Sequence, residues 1–176
     1  DPALRTACTG ADDLDDETFA VRVSAVRETF EECGVLLARR CGEDALLPES
    51  EVRPLETRYR ADLVAGRVTL CDITAAHDLS LALDVLVPFA HWITPAFMPK
   101  RFDTHFFLVP APADQVAAHD GEESVDSIWI EPRVAVADAQ AKRRPIIFPT
   151  LRNLVKLARS TSVAEAFERA RREPII

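Results

Sequence analysis

The chain is short of glycine and of positive charge relative to negative charge, and each shortage excludes a class of protein. Only 5 of the 176 residues are glycine, and no glycine-rich phosphate-binding loop is present. Lysine and arginine total 21 against 29 aspartates and glutamates, a formal net charge of −8. Because nucleic acids and anionic membranes both attract clustered lysine and arginine, this acidic excess argues against either as a partner.

Cysteine patterns and long apolar runs are also missing. The four cysteines form no CxxC pair, which argues against a zinc site: they are Cys8, Cys33, Cys41 and Cys71. Without a secretory signal or a high cysteine density, we predict reduced cysteines in a cytoplasmic protein. The longest apolar run, residues 85–90, is too short to cross a bilayer. Met98 is the single methionine and the chain opens at Asp1-Pro2, so we expect further residues upstream.

The remaining composition is that of a folded domain. A length of 176 residues with 48% hydrophobic residues suits one domain with its own core. Apolar spacing and cap residues predict helices at 17–33, 55–65, 79–87, 132–141, 149–159 and 163–172. Strands are predicted at 102–110 and 127–131. Residues 1–16, 39–54, 92–99 and 119–123 are expected to be loops.

The segment 27–35, Arg-Glu-Thr-Phe-Glu-Glu-Cys-Gly-Val, is the most informative part of the chain. A helix turns by about 100° per residue, so Glu28, Glu31 and Glu32 share one arc about 100° wide. An apolar stripe occupies the opposite side and consists of Val23, Val26, Phe30, Cys33 and Leu37. We therefore expect this helix to bury one face, to present three carboxylates on the other, and to end at Gly34.

These carboxylates lie where a helix gains little from them. Glu28 and Glu32 repel each other at i, i+4, and Glu31 and Glu32 lie in the last turn, where the macrodipole disfavours anions by about 0.3–1 kcal/mol each. Arg27 alone is placed to compensate, through Glu31. For any single glutamate a solvated acidic face is the plainer interpretation. For the cluster, hard oxygen ligands on a rigid helix favour a Mg²⁺ or Mn²⁺ site.

The same residues resemble the second half of the Nudix box, which reads Arg-Glu-apolar-x-Glu-Glu-x-Gly-apolar. Its fixed positions are filled by Arg27, Glu28, Glu31, Glu32, Gly34 and Val35. Thr29 departs mildly, since a larger apolar residue is usual there. The first half does not fit, because Asp13 and Phe19 stand where a glycine and a glutamate are expected. Either an insertion interrupts the box or this copy is degenerate.

We favour the insertion. The segments 92–95, 101–107 and 122–129 resemble the Nudix subgroup that includes a peroxisomal coenzyme A diphosphatase, in which the box is interrupted. The resemblance implies a single Nudix domain over residues 1–176, with a partly helical insertion at 38–90. The implied fold is an α/β/α sandwich with a mixed sheet and extra helices, and its first strands and Gly-Gly turn would lie upstream of Asp1.

The resemblance also implies an activity and roles for individual residues. The expected reaction is metal-dependent hydrolysis of the pyrophosphate bond in a nucleoside diphosphate linked to another group, such as coenzyme A or an acyl-coenzyme A. The expected partner is thus a small nucleotide-type molecule. Whether the chain forms a homodimer is left open. Glu28, Glu31 and Glu32 would hold Mg²⁺ or Mn²⁺, with Glu31 and Glu32 also catalytic. From a later loop, Glu122 or Glu123 would serve as base or extra ligand, and we choose Glu123.

Several other residues have weaker claims. Arg101 could hold a phosphate, or simply pair with a surface acid such as Asp103. Phe102 could stack on a base, as could Trp92, although aromatic residues beside prolines are more often part of a core. The four histidines show no metal-binding spacing, and no role is assigned to any of them: His77, His91, His105 and His119.

Two alternatives to an enzyme remain open. The incomplete box would suit a non-catalytic Nudix-like module that binds a nucleotide or a protein. If the motif were accidental, the two C-terminal helices would form the working surface of a helical interaction domain. The three hypotheses differ in whether the carboxylates bind metal and in whether a mixed sheet lies beside Glu28.

Overall fold

The computed structural model describes residues 2–112, 114–115 and 128–175. By their internal contacts, these residues divide into two compact units. The first unit contains helices α1 (Pro2–Thr6), α2 (Asp16–Cys33), α3 (Glu49–Val64) and α4 (Leu70–His77), and strands β1 (Cys8–Thr9), β2 (Ala38–Arg40) and β3 (Leu79–Ala82). The second contains β4 (Val87–Ile93), β5 (Asp103–Leu108), α5 (Pro132–Gln140), α6 (Phe148–Leu157) and α7 (Val163–Arg172).

The first unit is built on a small mixed sheet. Strand β3 lies in the middle, parallel to β1 on one side and antiparallel to β2 on the other. Leu81 is the register partner of both Cys8 and Ala38. All four residues of β3 are buried, since the strand has neighbours on both edges and helices pack over the sheet. The predicted mixed α/β class with a mixed sheet is confirmed.

The core of this unit explains why one face of α2 is apolar and buried. Its largest fully buried side chains come from α2, α3, α4, β3 and the connections between them: Phe30, Leu36, Leu37, Ile73, Leu81, Leu83, Val26 and Val52. Val26 and Phe30 belong to the predicted apolar stripe of α2. Burial of each such side chain stabilises the fold by roughly 1.5–3 kcal/mol. The apolar face of α2 is therefore fixed, and its acidic arc faces away from this core.

One ion pair, between the nearly buried Arg39 and the partly exposed Asp84, holds the end of the sheet together. Asp84, in the 3₁₀ turn Leu83–Val85 that follows β3, accepts a hydrogen bond from each terminal guanidinium nitrogen of Arg39, at 2.6 and 2.8 Å. Its Oδ1 also accepts the Thr9 hydroxyl at 2.6 Å. Since Thr9 lies on β1 and Arg39 on β2, one carboxylate connects both outer strands. The fork from Arg39 lowers the pKa of Asp84 to about 2.

The second unit pairs one hairpin with helices. Strands β4 and β5 are antiparallel, with a register irregularity between Pro88 and Ala90. Helix α7 packs on β4, and the buried centre consists of Val87, Phe89, Ala90 and Ala170. Trp92 belongs to the partly buried margin, where its Nε1–H donates to Asn153 Oδ1 at 2.9 Å. The core interpretation of Trp92 is thus the one that the structure supports.

The helix predicted at 79–87 is wrong. Residues 79–82 are the buried central strand β3, and Val87 begins β4. A strand buried on both faces appears in a sequence as a continuous apolar run, which periodicity alone cannot separate from a buried helix. Asp78 ends α4 in the left-handed conformation at φ 53°. Helix α4 itself was not predicted, although Thr69 and Asp72 form a capping box at its start.

Other boundaries also differ from expectation. Residues 1–16 contain α1 and β1, and the expected loop at 39–54 contains most of β2 and the start of α3. Helix α3 begins at Glu49 rather than at residue 55, with Pro54 in its second turn. The strand predicted at 127–131 is wrong for residues 128–131, since they pair with no strand in the described ranges and Trp129 is 81% exposed. Residue 127 lies outside the described residues.

The remaining elements agree with the predictions. The helices expected at 17–33, 132–141, 149–159 and 163–172, and the strand expected at 102–110, are all present within two residues of their predicted bounds. Gly34, the predicted end of α2, has φ 69°, and Gly66, just after α3, has φ 66°. The four cysteines are free thiols. That residues 1–176 form one domain, with 38–90 as an insertion, stays a prediction.

Candidate functional site

Helix α2 places the acidic cluster by its two ends. The helix starts at a capped turn, where Asp15 accepts the amide hydrogen of Thr18 at 2.7 Å. It ends where Gly34, at φ 69°, adopts the left-handed conformation and donates its N–H to the Phe30 carbonyl at 3.1 Å. Glu31 and Glu32 therefore lie in the last turn, as predicted.

The three glutamates differ in exposure. Glu28 is exposed, Glu32 is half-buried, and the Glu31 side chain is only 17% exposed. Arg27 Nε lies 3.5 Å from Glu31 Oε1, which is the compensating pair that the spacing predicted. Thr29, the mild departure from the Nudix pattern, donates its hydroxyl hydrogen back to the Ala25 carbonyl at 2.7 Å, which satisfies its polar group on the helix itself.

A second helix supports the end of α2 through a contact that no sequence pattern predicted. Arg60 of α3 donates its Nε–H to the Glu31 backbone carbonyl at 2.8 Å and one terminal N–H to Glu56 Oε1 at 2.7 Å. A guanidinium beside the last carbonyls of a helix also opposes the negative end of the macrodipole. Arg60 therefore supplies the positive charge that the last turn of α2 lacks.

The Glu56 carboxylate lies directly against Gly34. A Cβ built on Gly34 would be 2.6 Å from Glu56 Oε1 and 2.9 Å from its carboxyl carbon. A side chain at this position would thus meet two obstacles, the left-handed backbone and the Glu56–Arg60 pair. Glycine ends α2 here for both reasons.

A pocket of about 550 Å³ opens beside the Glu31 side chain. Two arginines and two glutamates are among the residues that line it: Glu31, Arg53, Glu56, Thr57, Arg60, Ala61 and Val64. Arg53 pairs with Glu49 at 2.7 Å and Arg60 pairs with Glu56 at 2.7 Å. Because both guanidinium groups are already paired with carboxylates, the pocket carries no strong excess of positive charge.

The donor set on α2 suits a hard divalent cation. Three carboxylates on one arc offer only oxygen ligands, which Mg²⁺ and Mn²⁺ prefer. Among the described residues, their oxygens do not form a set of three ligand atoms within 4.8 Å of one another. Each glutamate side chain has several rotatable bonds, so convergence on an ion requires rotamer changes rather than backbone movement. The assignment of Glu28, Glu31 and Glu32 as metal ligands stays a prediction.

The acidic cluster belongs to the first unit, whereas Arg101 and Phe102 belong to the second. Arg101 is exposed and donates its Nε–H to the Thr94 carbonyl at 3.1 Å. Phe102 is 54% exposed, with Lys100 Nζ 4.8 Å from its ring centroid. Glu122 and Glu123 lie outside the described residues. Their predicted roles in binding substrate and in catalysis therefore stay predictions.

Sequence reasoning missed a group of potential ligands on the β4–β5 hairpin. His91, Asp103 and His105 bring three ligand atoms within 4.8 Å of one another. Asp103 and His105 are two apart on a strand, which places them on one face. The signal that could have found this group is strand alternation through His91, but residues 79–87 were predicted as a helix and 92–99 as irregular.

Comparison with known proteins gives one consistent family. The family model "NUDT19 Nudix domain" matches residues 4–157. Nudix hydrolase 7 of Caenorhabditis elegans is 31% identical over 139 residues, which is 78% of this chain and 43% of that protein. Human acyl-coenzyme A diphosphatase NUDT19 is 29% identical over a 191-residue alignment, which covers 93% of this chain and 48% of that protein.

A solved structure agrees with these relatives. The crystal structure of a NUDIX hydrolase from Alicyclobacillus acidocaldarius matches with a TM-score of 0.73 and 27% identity, over 96% of this chain and 76% of that one. The chain spans less than half the length of the two curated relatives. Within the described ranges, no helix has the length and apolarity needed to cross a membrane.

Proposed function

This chain belongs to the NUDT19 Nudix domain family, and we propose that it hydrolyses the pyrophosphate bond of coenzyme A or an acyl-coenzyme A. The observation that carries the proposal is the half-box on α2: three carboxylates on one arc, with Arg27 beside the Glu31 carboxylate and Arg60 hydrogen-bonded to the Glu31 backbone carbonyl. The name of the human relative, an acyl-coenzyme A diphosphatase, supports this substrate class. The same family supports a small nucleotide-type partner.

Nudix proteins generally use divalent metal ions. Here Glu28, Glu31 and Glu32 would hold Mg²⁺ or Mn²⁺, because they are the clustered hard-oxygen donors of the motif. When bound, such an ion polarises phosphoryl oxygens and makes a bound water more acidic.

The chain's own residues would keep this cluster in place. Arg27, 3.5 Å from Glu31 Oε1, limits the rotamers of that side chain and offsets part of its charge. Arg60 fixes the last turn through the Glu31 carbonyl. Gly34 then turns the backbone away, so the acidic arc is not covered by a continuing helix. With the backbone held in this way, only side-chain rotamers need to change for the three carboxylates to converge on an ion.

Further roles are proposed for residues elsewhere in the chain. Glu123 would accept the proton of the attacking water, since a loop late in the fold often supplies a further carboxylate in the family that this chain resembles. Arg101 would contact a substrate phosphate through its forked guanidinium, and Phe102, whose ring is largely exposed, would stack on the adenine. These three roles rest on the family resemblance.

The reaction is testable on the purified chain with Mg²⁺ and coenzyme A in ¹⁸O-labelled water. Cleavage of the pyrophosphate gives adenosine 3′,5′-bisphosphate and 4′-phosphopantetheine, with one labelled oxygen on one of the two new phosphate groups. Mass spectrometry identifies both products and locates the label. An acyl-coenzyme A and a nucleotide sugar, assayed in parallel, test the substrate class.

Variants on α2 test the assigned roles. Glu31→Gln and Glu32→Gln should each lower turnover by about 100-fold or more, since metal-assisted charge stabilisation is worth several kcal/mol. Glu17→Gln is the matched control, because Glu17 is an exposed residue at the other end of the same helix. Full activity in both Glu31→Gln and Glu32→Gln contradicts the assignment. Nucleotide binding without cleavage favours the non-catalytic module.

A further inference from the structure

Three potential metal ligands converge on one face of the β4–β5 hairpin. His91 Nε2 is hydrogen-bonded to Asp103 Oδ1, and His105 Nε2 lies 3.7 Å from the same oxygen. The two imidazole rings are stacked, with centroids 3.9 Å apart and planes 18° from parallel. All three ligand atoms lie within 4.8 Å of one another.

The strand register produces this arrangement without any special loop. His91 and His105 are direct cross-strand partners, and Asp103 pairs with Ile93, two residues along from His91. Side chains two apart on a strand share a face, and direct partners lie about 4.5–5.5 Å apart at Cβ. The three side chains are therefore neighbours on one face, carried by paired backbone rather than by a mobile segment.

The donor set differs in kind from that of α2. Two imidazoles and one carboxylate suit zinc and the late transition metals, whereas Mg²⁺ prefers oxygen ligands alone. Two neutral imidazoles and one carboxylate carry a single negative charge, which a divalent cation more than neutralises. Three protein ligands also leave a tetrahedral ion one position for water or for an oxygen of an anionic molecule.

Hydrogen bonds alone explain the arrangement of the three side chains less well than a bound cation does. One hydrogen bond joins His91 to Asp103, but the 3.7 Å separation leaves His105 Nε2 beyond hydrogen-bond distance of the carboxylate that it faces. A cation placed among the three atoms would engage both rings and the carboxylate together. Access is open, because the side chains of His91, Asp103 and His105 are 31%, 63% and 37% exposed.

We propose that His91, Asp103 and His105 form a second metal site, selective for Zn²⁺ or a similar transition-metal ion and separate in chemistry from the carboxylates of α2. It does not depend on the proposed hydrolysis. The ion would cross-link β4 to β5 and keep one exchangeable position.

The test uses the EDTA-treated chain titrated with Co²⁺ and then Zn²⁺, followed by optical absorption. Wild type should bind one Co²⁺ at this site, with d–d bands typical of nitrogen and oxygen ligands and no thiolate charge-transfer band, and Zn²⁺ should displace it. Mutation of a residue that is hydrogen-bonded to a metal ligand already lowers metal affinity by about 10–100-fold. His91→Asn and His105→Asn, which remove ligands, should weaken binding by about 100-fold or more.

Two controls separate this site from other binding. His77→Asn removes an imidazole that pairs with Tyr59 instead, and the triple variant Glu28→Gln, Glu31→Gln, Glu32→Gln removes the acidic cluster. Both should retain the wild-type Zn²⁺ affinity. Variant folding is checked by circular dichroism, and the wild type gives an independent readout: Zn²⁺ should shift the imidazole NMR signals of His91 and His105 but not of His77.

Either of two results overturns the proposal. One is a Co²⁺ spectrum that persists unchanged in folded His91→Asn or His105→Asn. The other is Zn²⁺ saturation of the wild type that leaves the imidazole signals of His91 and His105 where they were.

Discussion

Arg60 of helix α3 donates its Nε–H to the backbone carbonyl of Glu31 across 2.8 Å. A residue outside the Nudix motif thus closes the helix that carries it. The contact joins positions 29 residues apart in the chain, and it satisfies an acceptor that the helix cannot satisfy itself. It makes α3 part of the support of the acidic cluster.

Arg60→Lys should destabilise the chain and loosen the site. A lysine keeps the charge but cannot reach both the Glu31 carbonyl and Glu56 with a planar fork, so we expect a loss of about 1–2 kcal/mol. Urea denaturation measures this loss, and Mn²⁺ affinity should fall in parallel. Arg58→Lys, an exposed change on the same helix, should stay within about 0.5 kcal/mol of wild type. Equal behaviour of the two variants would show that the Arg60 contact is unimportant.

Gly34→Ala should be more harmful than Gly66→Ala. Both glycines adopt the left-handed backbone conformation, at φ 69° and 66°. For the backbone strain alone, each substitution by alanine should lower the free energy of unfolding by about 1–2 kcal/mol. Only at Gly34 does the new Cβ meet another group, Glu56 Oε1 at 2.6 Å, whereas Gly66 has open space. The glutamate can rotate away, but only by leaving Arg60.

The excess cost at Gly34 can be isolated with Glu56→Ala. In that background the obstructing carboxylate is gone, so Gly34→Ala should cost no more than Gly66→Ala does. Thermal unfolding of the single and double variants measures the difference. If the excess persists without the Glu56 carboxylate, the contact is not its cause.

Asp84→Asn should destabilise the mixed sheet at neutral pH. The change leaves Arg39, a nearly buried residue, without its charged partner, and we expect a loss of about 2–3 kcal/mol. Asp62→Asn, which breaks an exposed pair with Arg67, is the matched control and should cost about 0.5 kcal/mol. Urea denaturation at pH 7 compares the two variants.

The same carboxylate sets a pH dependence. The pKa of Asp84 falls from 3.8 to about 2 in the folded chain, so the unfolded chain binds its proton first. Its contribution is fully present above pH 4 and is lost as the pH falls toward 2. The contribution is about 1 kcal/mol once reduced for the partly exposed side chain. The stability gap between wild type and Asp84→Asn should therefore narrow below pH 4, and a constant gap would contradict this assignment.

Local signals were enough to predict α2 and its acidic arc. Asp15 at one end, Gly34 at the other, and Val26 and Phe30 between them specify the helix without tertiary information. Strand β3 could not be predicted in the same way, because an apolar run acquires its type from the strands beside it. Because β3 was predicted as a helix, the strand that carries His91 was not recognised. The neighbours of His91 follow only from the pairing of β4 with β5.

The contacts around the cluster were beyond sequence reasoning for a different reason. Arg60 and Glu56 come near Glu31 and Gly34 only through the packing of α3 on α2, and helix α3 was predicted to begin six residues too late. Pro54 caused that error, since proline usually marks a helix start or break. Here it lies in the second turn of a helix that continues past it.

Mn²⁺ titration followed by electron paramagnetic resonance tests the central claim, that the α2 carboxylates hold the catalytic metal. Wild type, Glu17→Gln and His105→Asn should take up Mn²⁺ with the same affinity at this site. Glu31→Gln and Glu32→Gln should each bind it more weakly by about 100-fold or more, because each removes a ligand rather than a partner of one. Wild-type affinity in both of these variants would contradict the account.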